Sequence, residues 1–271
     1  IAAVLRAVRA RGLRASAFTN GQVLARAGAV DELSEAGLRQ VLVSFHYADA
    51  ESFGRFTRTP AGRFERLLMG LRAVHEHNRR FPARAVGVGI QTQLFVANDR
   101  RLGEIRRLLE EVLEEDFLSQ TIGVISPSPG AAASEPLLEP LAGRREELAD
   151  YLGSWDRRRF IRLSKVPLCM VPGFEHLSKD VEAVGLGGDI SSNFTDKRVL
   201  GPMDDPVAAF RHNPYRWVCC RCLLLPLCPT TRTAWGSSAF APDRDQRPIP
   251  VLDRAPEDVL ARLGCDRSAA A

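Results

Sequence analysis

Lysine is almost missing from this chain. Only Lys165, Lys179 and Lys197 stand among 37 basic residues, and the others are arginine. With a formal net charge of only +4 over 271 residues, that is a bias toward arginine and not a polybasic face. Arg79-Arg80 and Arg157-Arg158-Arg159 read as solvated faces, so nucleic acid is not an expected partner. No apolar run is long enough to cross a bilayer and no signal-peptide pattern is present, so no membrane partner is expected either. Cysteine is scarce as well, with six in the whole length. Scarcity at this length argues against the disulfide framework of a small secreted scaffold. It fits unpaired thiols in a cytoplasmic, reducing location. No internal repeat occurs. The first residue is Ile1 and not methionine, and the chain enters directly in a helical pattern, as expected of a fragment of a longer protein.

What is there is ordinary in bulk. A hydrophobic content of 45% and a charged content of 26% suit a soluble globular protein with a sizeable core. Metal is then not needed merely to hold a small fold together.

Periodicity alternates between two kinds of element. Val4, Leu5 and Val8 share one helical side, and that helix ends at Gly12. Leu13 to Phe18 reads as a strand closed by Thr19-Asn20-Gly21. A helix over Ala29 to Ala36 stops at Gly37, and Gln40 to His46 is an apolar run of the kind buried on both faces. Phe64, Leu67, Leu68, Leu71 and Val74 define a third helix, up to about His77. Ala85 to Val96 is a strand, and Asn98 or Asp99 is the expected cap of a helix bearing Leu102, Ile105, Leu108, Leu109, Val112 and Leu113. Thr121 to Ile125 is the next strand, closed by Ser126-Pro127-Ser128-Pro129-Gly130.

Such alternation implies an α/β fold with parallel strands and right-handed crossovers, either an open doubly wound sheet or part of a barrel. In both, ligands bind at the carboxyl ends of the strands. Those ends are Thr19-Asn20-Gly21, Ser44-Phe45-His46, Gln91-Thr92-Gln93 and Ser126, all small or polar. After Gly130 the character changes. Ala131 to Pro140 reads as a linker, Arg144 to about Tyr151 as a helix, and Pro256 to Leu263 as a short tail helix. From Pro167 onward Pro, Gly, Asn and Asp are frequent and periodicity fades, the composition of a segment that metal orders.

Four of the six cysteines crowd into Cys219-Cys220-Arg221-Cys222 and Cys228. Cys219, Cys222 and Cys228 have the spacing C-x2-C-x5-C, which lets three thiolates return to one metal. Cys169, in Lys165-Val166-Pro167-Leu168-Cys169, is the candidate fourth ligand. Neighbouring side chains point apart, so Cys219 and Cys220 are not both expected to ligate, and Cys219 gives the better return geometry. Cys265 is expected to stay a thiol. Thiolate-only ligation selects zinc or an iron–sulfur cluster, and the spacing alone leaves both open.

Taken in order, these segments resemble the C-terminal portion of a radical S-adenosylmethionine (SAM) enzyme with a SPASM or twitch type of auxiliary-cluster domain. Leu13 to Gly21 is similar to that family's third barrel strand. Gln40 to His46, with Glu51 and Thr57 to Phe64, is similar to the fourth strand and its small acidic loop, and Val88 to Val96 with Asn98 to the fifth strand. The family's C-x3-C-x2-C signature does not occur in these 271 residues and is expected N-terminal to Ile1. Cys228 is followed by Pro229-Thr230-Thr231, where the family more often has glycine and then tyrosine.

The resemblance implies an incomplete parallel (β/α) partial barrel followed by a small irregular cysteine-rich domain. Its segments are 1–135 for the last four barrel strands, 136–165 for a linker and helix, 166–250 for the cluster-binding segment and 251–271 for a helix and tail. It implies an auxiliary 4Fe–4S cluster on Cys169, Cys219, Cys222 and Cys228. SAM on a second 4Fe–4S cluster is implied for the full-length enzyme. There, one-electron cleavage of SAM yields a deoxyadenosyl radical that abstracts hydrogen from substrate. Ser44 would bond a ribose hydroxyl or the carboxylate, and Thr19 and Asn20 would position the methionyl or ribose part. Gln93 and the backbone near Ile125 would flank the adenine. His46 reads equally as a packed strand-end imidazole or a substrate-side group. The implied partners are a peptide or protein substrate and a reductant such as a flavodoxin or ferredoxin. The fragment alone, lacking the SAM-cluster cysteines, is expected to be inactive. Two other classes stay open: a zinc-stabilised non-catalytic α/β binding protein, and a degenerate peptide-binding partner without the SAM cluster.

Overall fold

The computed structural model describes residues 1–94, 101–124, 145–155, 160–179 and 181–182. The chain divides into two compact units, Ile1–Ile122 with Asp156–Ile161, and Gly123–Trp155 with Arg162–Ala271. Helices and strands alternate along it: α1 (Ala2–Ala10), β1 (Ala15–Thr19), α2 (Ala29–Ala36), β2 (Leu38–Ser44), α3 (Ala50–Thr57) and α4 (Gly62–Arg80). There follow β3 (Gly87–Leu94), α5 (Leu102–Leu113), β4 (Phe117–Val124), α6 (Arg145–Gly153) and β5 (Phe160–Ser164). The fold is α/β, with one five-stranded parallel sheet in the order β1-β2-β3-β4-β5.

That order never reverses. A right-handed crossover to the next strand, repeated without reversal, lays each connecting helix on the same side of the sheet. In the first unit α2 packs on α4, and α4 on α5, as this requires. The register fixes which side chains they cover. Ala17, Val41 and Val88 lie across from one another, as do Thr19, Val43 and Ile90. Val41, Val43, Val88 and Ile90 are buried, and a side chain added at Gly21 would meet both Val43 and Leu67 of α4. This is the helix-covered face. Phe64, Leu67, Leu68, Leu71 and Val74 fill it from α4, and Ile105, Leu109 and Val112 from α5. Each such side chain contributes about 1.5–3 kcal/mol by leaving water.

Several elements match their sequence expectations and several need correction. α2 spans the expected residues, and Gly37, at φ +117°, ends it in a conformation that only glycine adopts without strain. The small acidic loop expected after β2 is instead the helix α3. Asp49 starts it, its Oδ1 accepting from the Ser52 amide and the Ser52 hydroxyl at 2.7 Å each. α5 begins at Leu102 after Arg101, with no side-chain cap bond from Arg101; Asn98 and Asp99, the expected caps, lie outside the described residues. β5 falls in the stretch read as linker and helix. Its Ile161 and Leu163 are buried at a spacing of two, a pattern hidden beside the arginine run before it. The tail helix expected over Pro256 to Leu263 lies outside the described residues.

Candidate functional site

The opposite face of the sheet is a different surface. Phe18, Leu42 and Gly89 lie across from one another on it, followed by the pair Ser44 and Gln91. A side chain at Gly89 would strike Leu42 and the Ser119 hydroxyl, which puts Ser119 of β4 on this face too. Alternation then adds Thr121. Beyond the end of β2, His46 continues the parity of Ser44, and Gln93 that of Gln91. Ser44, His46, Gln91, Gln93 and Ser119 are all half-buried, so this face is more open than the helix-covered one.

Three side-chain hydrogen bonds lock the strand ends together. The Gln93 amide donates to Nδ1 of His46 at 3.2 Å. With Nδ1 accepting, the proton of the neutral ring sits on Nε2. Burial pushes the His46 imidazole down to about 4, and the nearby Phe45 carbonyl offsets only part of this. On the helix-covered side the Thr92 hydroxyl donates to the Phe45 carbonyl at 2.8 Å, and the Gln120 side-chain amide donates to Thr92 Oγ1 at 2.7 Å. This buried chain of polar groups crosses β4, β3 and the end of β2. Thr92 and Gln120 hold the open face in shape without standing on it. Sequence reading placed Gln91 and Thr92 at a strand end without giving either a role, and it missed Ser119, Thr121 and the Gln120 end of this buried chain; their two-residue parity within predicted strands was the signal available.

Thr19 falls elsewhere. It is in register with Val43, on the helix-covered face, and its hydroxyl accepts from the Gly21 amide at 3.1 Å. Asn20 is exposed, and its Oδ1 accepts from the Gln22 amide at 3.2 Å. Both side chains shape the turn after β1. Thr19 does not share a face with Ser44, so the structure brings together Ser44, His46 and Gln93 but not Thr19. Ile125 lies outside the described residues.

The rim beside this face is charged. Arg101 donates to Asp49, and at 2.6 Å to Glu104, tying α3 to α5. Burial alone would raise the Asp49 carboxyl, but the Ser52 hydroxyl and amide and the Arg101 guanidinium bring it to about 2. Tyr47 packs edge-on to Phe53 and stacks on Phe56, and burial pushes its hydroxyl up to about 12. Among the described residues the polar groups gathered at this end of the face are uncharged at neutral pH: three hydroxyls, two primary amides and a neutral imidazole. Such a set recognises hydroxyl groups and the edges of a heterocycle, and it lacks the paired ionisable groups of general acid–base catalysis.

Cys169 belongs to the second unit. It sits half-buried in the 3-10 turn Leu168–Met170, between the buried Val166 and Val171. Arg145, the first residue of α6, is close enough to interact electrostatically with it. Burial lowers the Arg145 guanidinium, while charge at Cys169 and at Glu146 favours its cationic form. Its Nε is buried and has no acceptor. Cys219, Cys222 and Cys228 lie outside the described residues. Among the described residues no three His, Cys, Asp or Glu side chains are grouped to hold a metal ion. Among the same residues no helix is long and apolar enough to cross a membrane. No protein-family model and no curated protein matches this chain.

Proposed function

We propose that this chain is the C-terminal part of a radical SAM enzyme, acting on a peptide or protein and carrying an auxiliary 4Fe–4S cluster on Cys169, Cys219, Cys222 and Cys228. The observation that carries the reading is the uncharged polar face at the carboxyl ends of parallel strands taken in unreversed order. In this reading they are successive strands of an incomplete (β/α) barrel, whose ligands bind at that end.

The donor set fits the nucleoside of SAM. The Ser44 hydroxyl would bond a ribose hydroxyl or the carboxylate. The Gln93 side chain would lie along the adenine. His46, held by the Gln93 amide with its proton on Nε2, would offer a neutral donor to ligand or substrate. Bound SAM, with its own cluster, would supply one-electron hydrogen abstraction; this chain's residues hold and orient it. The second unit supports the cluster through an unsatisfied group: the buried Arg145 Nε calls for an anionic or sulfur acceptor, and a cluster ligated by four thiolates is anionic.

Anaerobic loading of the chain with iron and sulfide tests this. Iron, acid-labile sulfide and visible absorption should all be present. Each should fall in C169S, C219S, C222S and C228S, and C220S should keep them. Zinc bound without sulfide would replace this reading with that of a zinc-stabilised binding protein.

A further inference from the structure

The end of the sheet where β4 begins holds a second group of polar side chains, away from Ser44 and His46. His75 of α4 is buried there, with 9% of its side chain exposed. Its Nδ1 lies 2.8 Å from Oδ2 of Asp116, and Asn78 Nδ2 donates to Oδ1 of the same carboxylate at 2.9 Å. A carboxylate only accepts, so this contact puts the proton of the neutral imidazole on Nδ1 and leaves a lone pair on Nε2. Nε2 is buried and has no hydrogen-bond partner. It faces Oε1 of Glu114 at 3.7 Å, too far for a hydrogen bond, and that oxygen is an acceptor as well. Two acceptors thus face one another across a short gap. The Glu114 backbone is held there at φ +47° and ψ −119°, a conformation that glycine adopts readily and glutamate does not.

We propose that this gap is a site for a divalent metal ion of the zinc class, bound by Nε2 of His75 and the carboxylate of Glu114, with Asp116 as a positioning residue. Imidazole nitrogen and carboxylate oxygen each bind zinc at about 2.0–2.2 Å, so two tetrahedral ligands of one ion stand about 3.4 Å apart. The observed 3.7 Å asks for only a small movement of the Glu114 side chain, which is 61% exposed. A ring whose other N–H is held by a carboxylate is the common arrangement of a metal-bound histidine. A nitrogen donor beside an oxygen donor suits zinc better than calcium or magnesium. Among the described residues no third donor joins the pair, so water fills the remaining positions. The ion ties α4 to the 3-10 turn Glu114–Asp116 between α5 and β4. This site is independent of the cluster reading above.

The full chain, labelled with 15N-histidine and stripped of metal by a chelator, is titrated with zinc while its ring nitrogens are followed by NMR. The cysteines take up zinc as well, so only the histidine signals are read. Nε2 of His75, assigned by through-bond correlation to its own backbone amide, should move to the position of a metal-bound nitrogen at micromolar zinc. Nδ1 should keep its proton. D116N should need about 10–100-fold more zinc for the same shift, and E114Q at least about tenfold more. A wild-type Nε2 that carries a proton at neutral pH, or that stays unmoved by millimolar zinc, overturns the proposal whether or not the variants fold. Equal zinc requirements in the wild type and E114Q also overturn it, because a lone imidazole then accounts for the binding. The zinc shift at His75 should persist even if the chain takes up no iron and sulfide, which separates this site from the proposed function.

Discussion

Asp31 of α2 and His77 of α4 meet with Oδ1 2.5 Å from Nδ1. The imidazole is fully buried, whereas the carboxylate is about one-third exposed, at 32%. Nε2 of the same ring lies 3.3 Å from the Arg84 carbonyl, and Arg80 binds the outer carboxylate oxygen at 3.1 Å. One buried ring thus joins α2, α4 and the turn that leads into β3.

Removing the carboxylate leaves a ring nitrogen buried without its partner. D31A should lose about 1–3 kcal/mol in urea unfolding, and D31N, which keeps an acceptor, should lose less. The hydrogen bond from His77 holds the Asp31 carboxyl below its ordinary range; burial opposes this and Arg80 adds to it. A lowered folded pKa means that the unfolded chain takes up the proton first. The Asp31 contribution is therefore complete above about pH 4 and is lost as the pH falls through the lower folded value. The stability of D31N should vary less with pH in that acid range, and an unchanged slope would reject the assignment.

Asp49 and Arg101 act at the other end of the sheet. D49A removes the cap of α3 and should cost about 1 kcal/mol. The Ser52 amide, which donates to Asp49, should then exchange with solvent faster. R101Q should cost less than about 1 kcal/mol, because the Arg101–Asp49 pair is about one-third exposed on both sides, at 33% and 38%. A larger loss in R101Q than in D49A would reverse this assignment of the anchoring to the cap.

His46 should titrate near 4, and not near the ordinary imidazole value of about 6.5. The folded ring resists a proton that the unfolded ring accepts, so stability should fall as the pH drops from about 6.5 through 4. Ring nitrogen shifts at neutral pH should report protonation at Nε2 and not at Nδ1. Titration at the ordinary value would remove the argument for a neutral donor on the open face.

Gly70 of α4 passes under the turn after β1. A side-chain carbon there would lie 2.5 Å from the Gly21 carbonyl oxygen and 3.1 Å from Leu24 Cβ. Backbone is the obstacle, so the strain cannot be relieved by turning a side chain. G70A should destabilise by about 1–3 kcal/mol despite the better helix propensity of alanine. A wild-type melting temperature in G70A would show that helix and turn move apart freely.

The alternation of helix and strand was legible because each core helix buries a continuous apolar stripe and each inner strand a continuous apolar run. Ile105, Leu109 and Val112 announce α5, and Val41 and Val43 announce β2. Ser44, His46 and Gln93 were legible as strand-end polar groups. The face on which Thr19 lies depends on register with Val43, a non-local fact absent from the local pattern. α3 was missed because its stabilising features are the Asp49 cap and packing of Phe53 and Phe56 on Tyr47, not an apolar stripe. The Arg145–Cys169 relation joins residues too far apart in sequence for any motif to reveal.

A sheet in which each strand lies beside the one made just before it can be assembled by stepwise addition. β2 finds its neighbour already present in β1, and β3 finds β2, with α2 and then α3 and α4 covering each new seam. Loops closed in this way stay short, so the entropy cost of each addition is modest and contact order is low for a parallel sheet. Synthesis from the N-terminus would deliver these pieces in the sequence in which they dock, sparing the growing chain a long wait for distant partners.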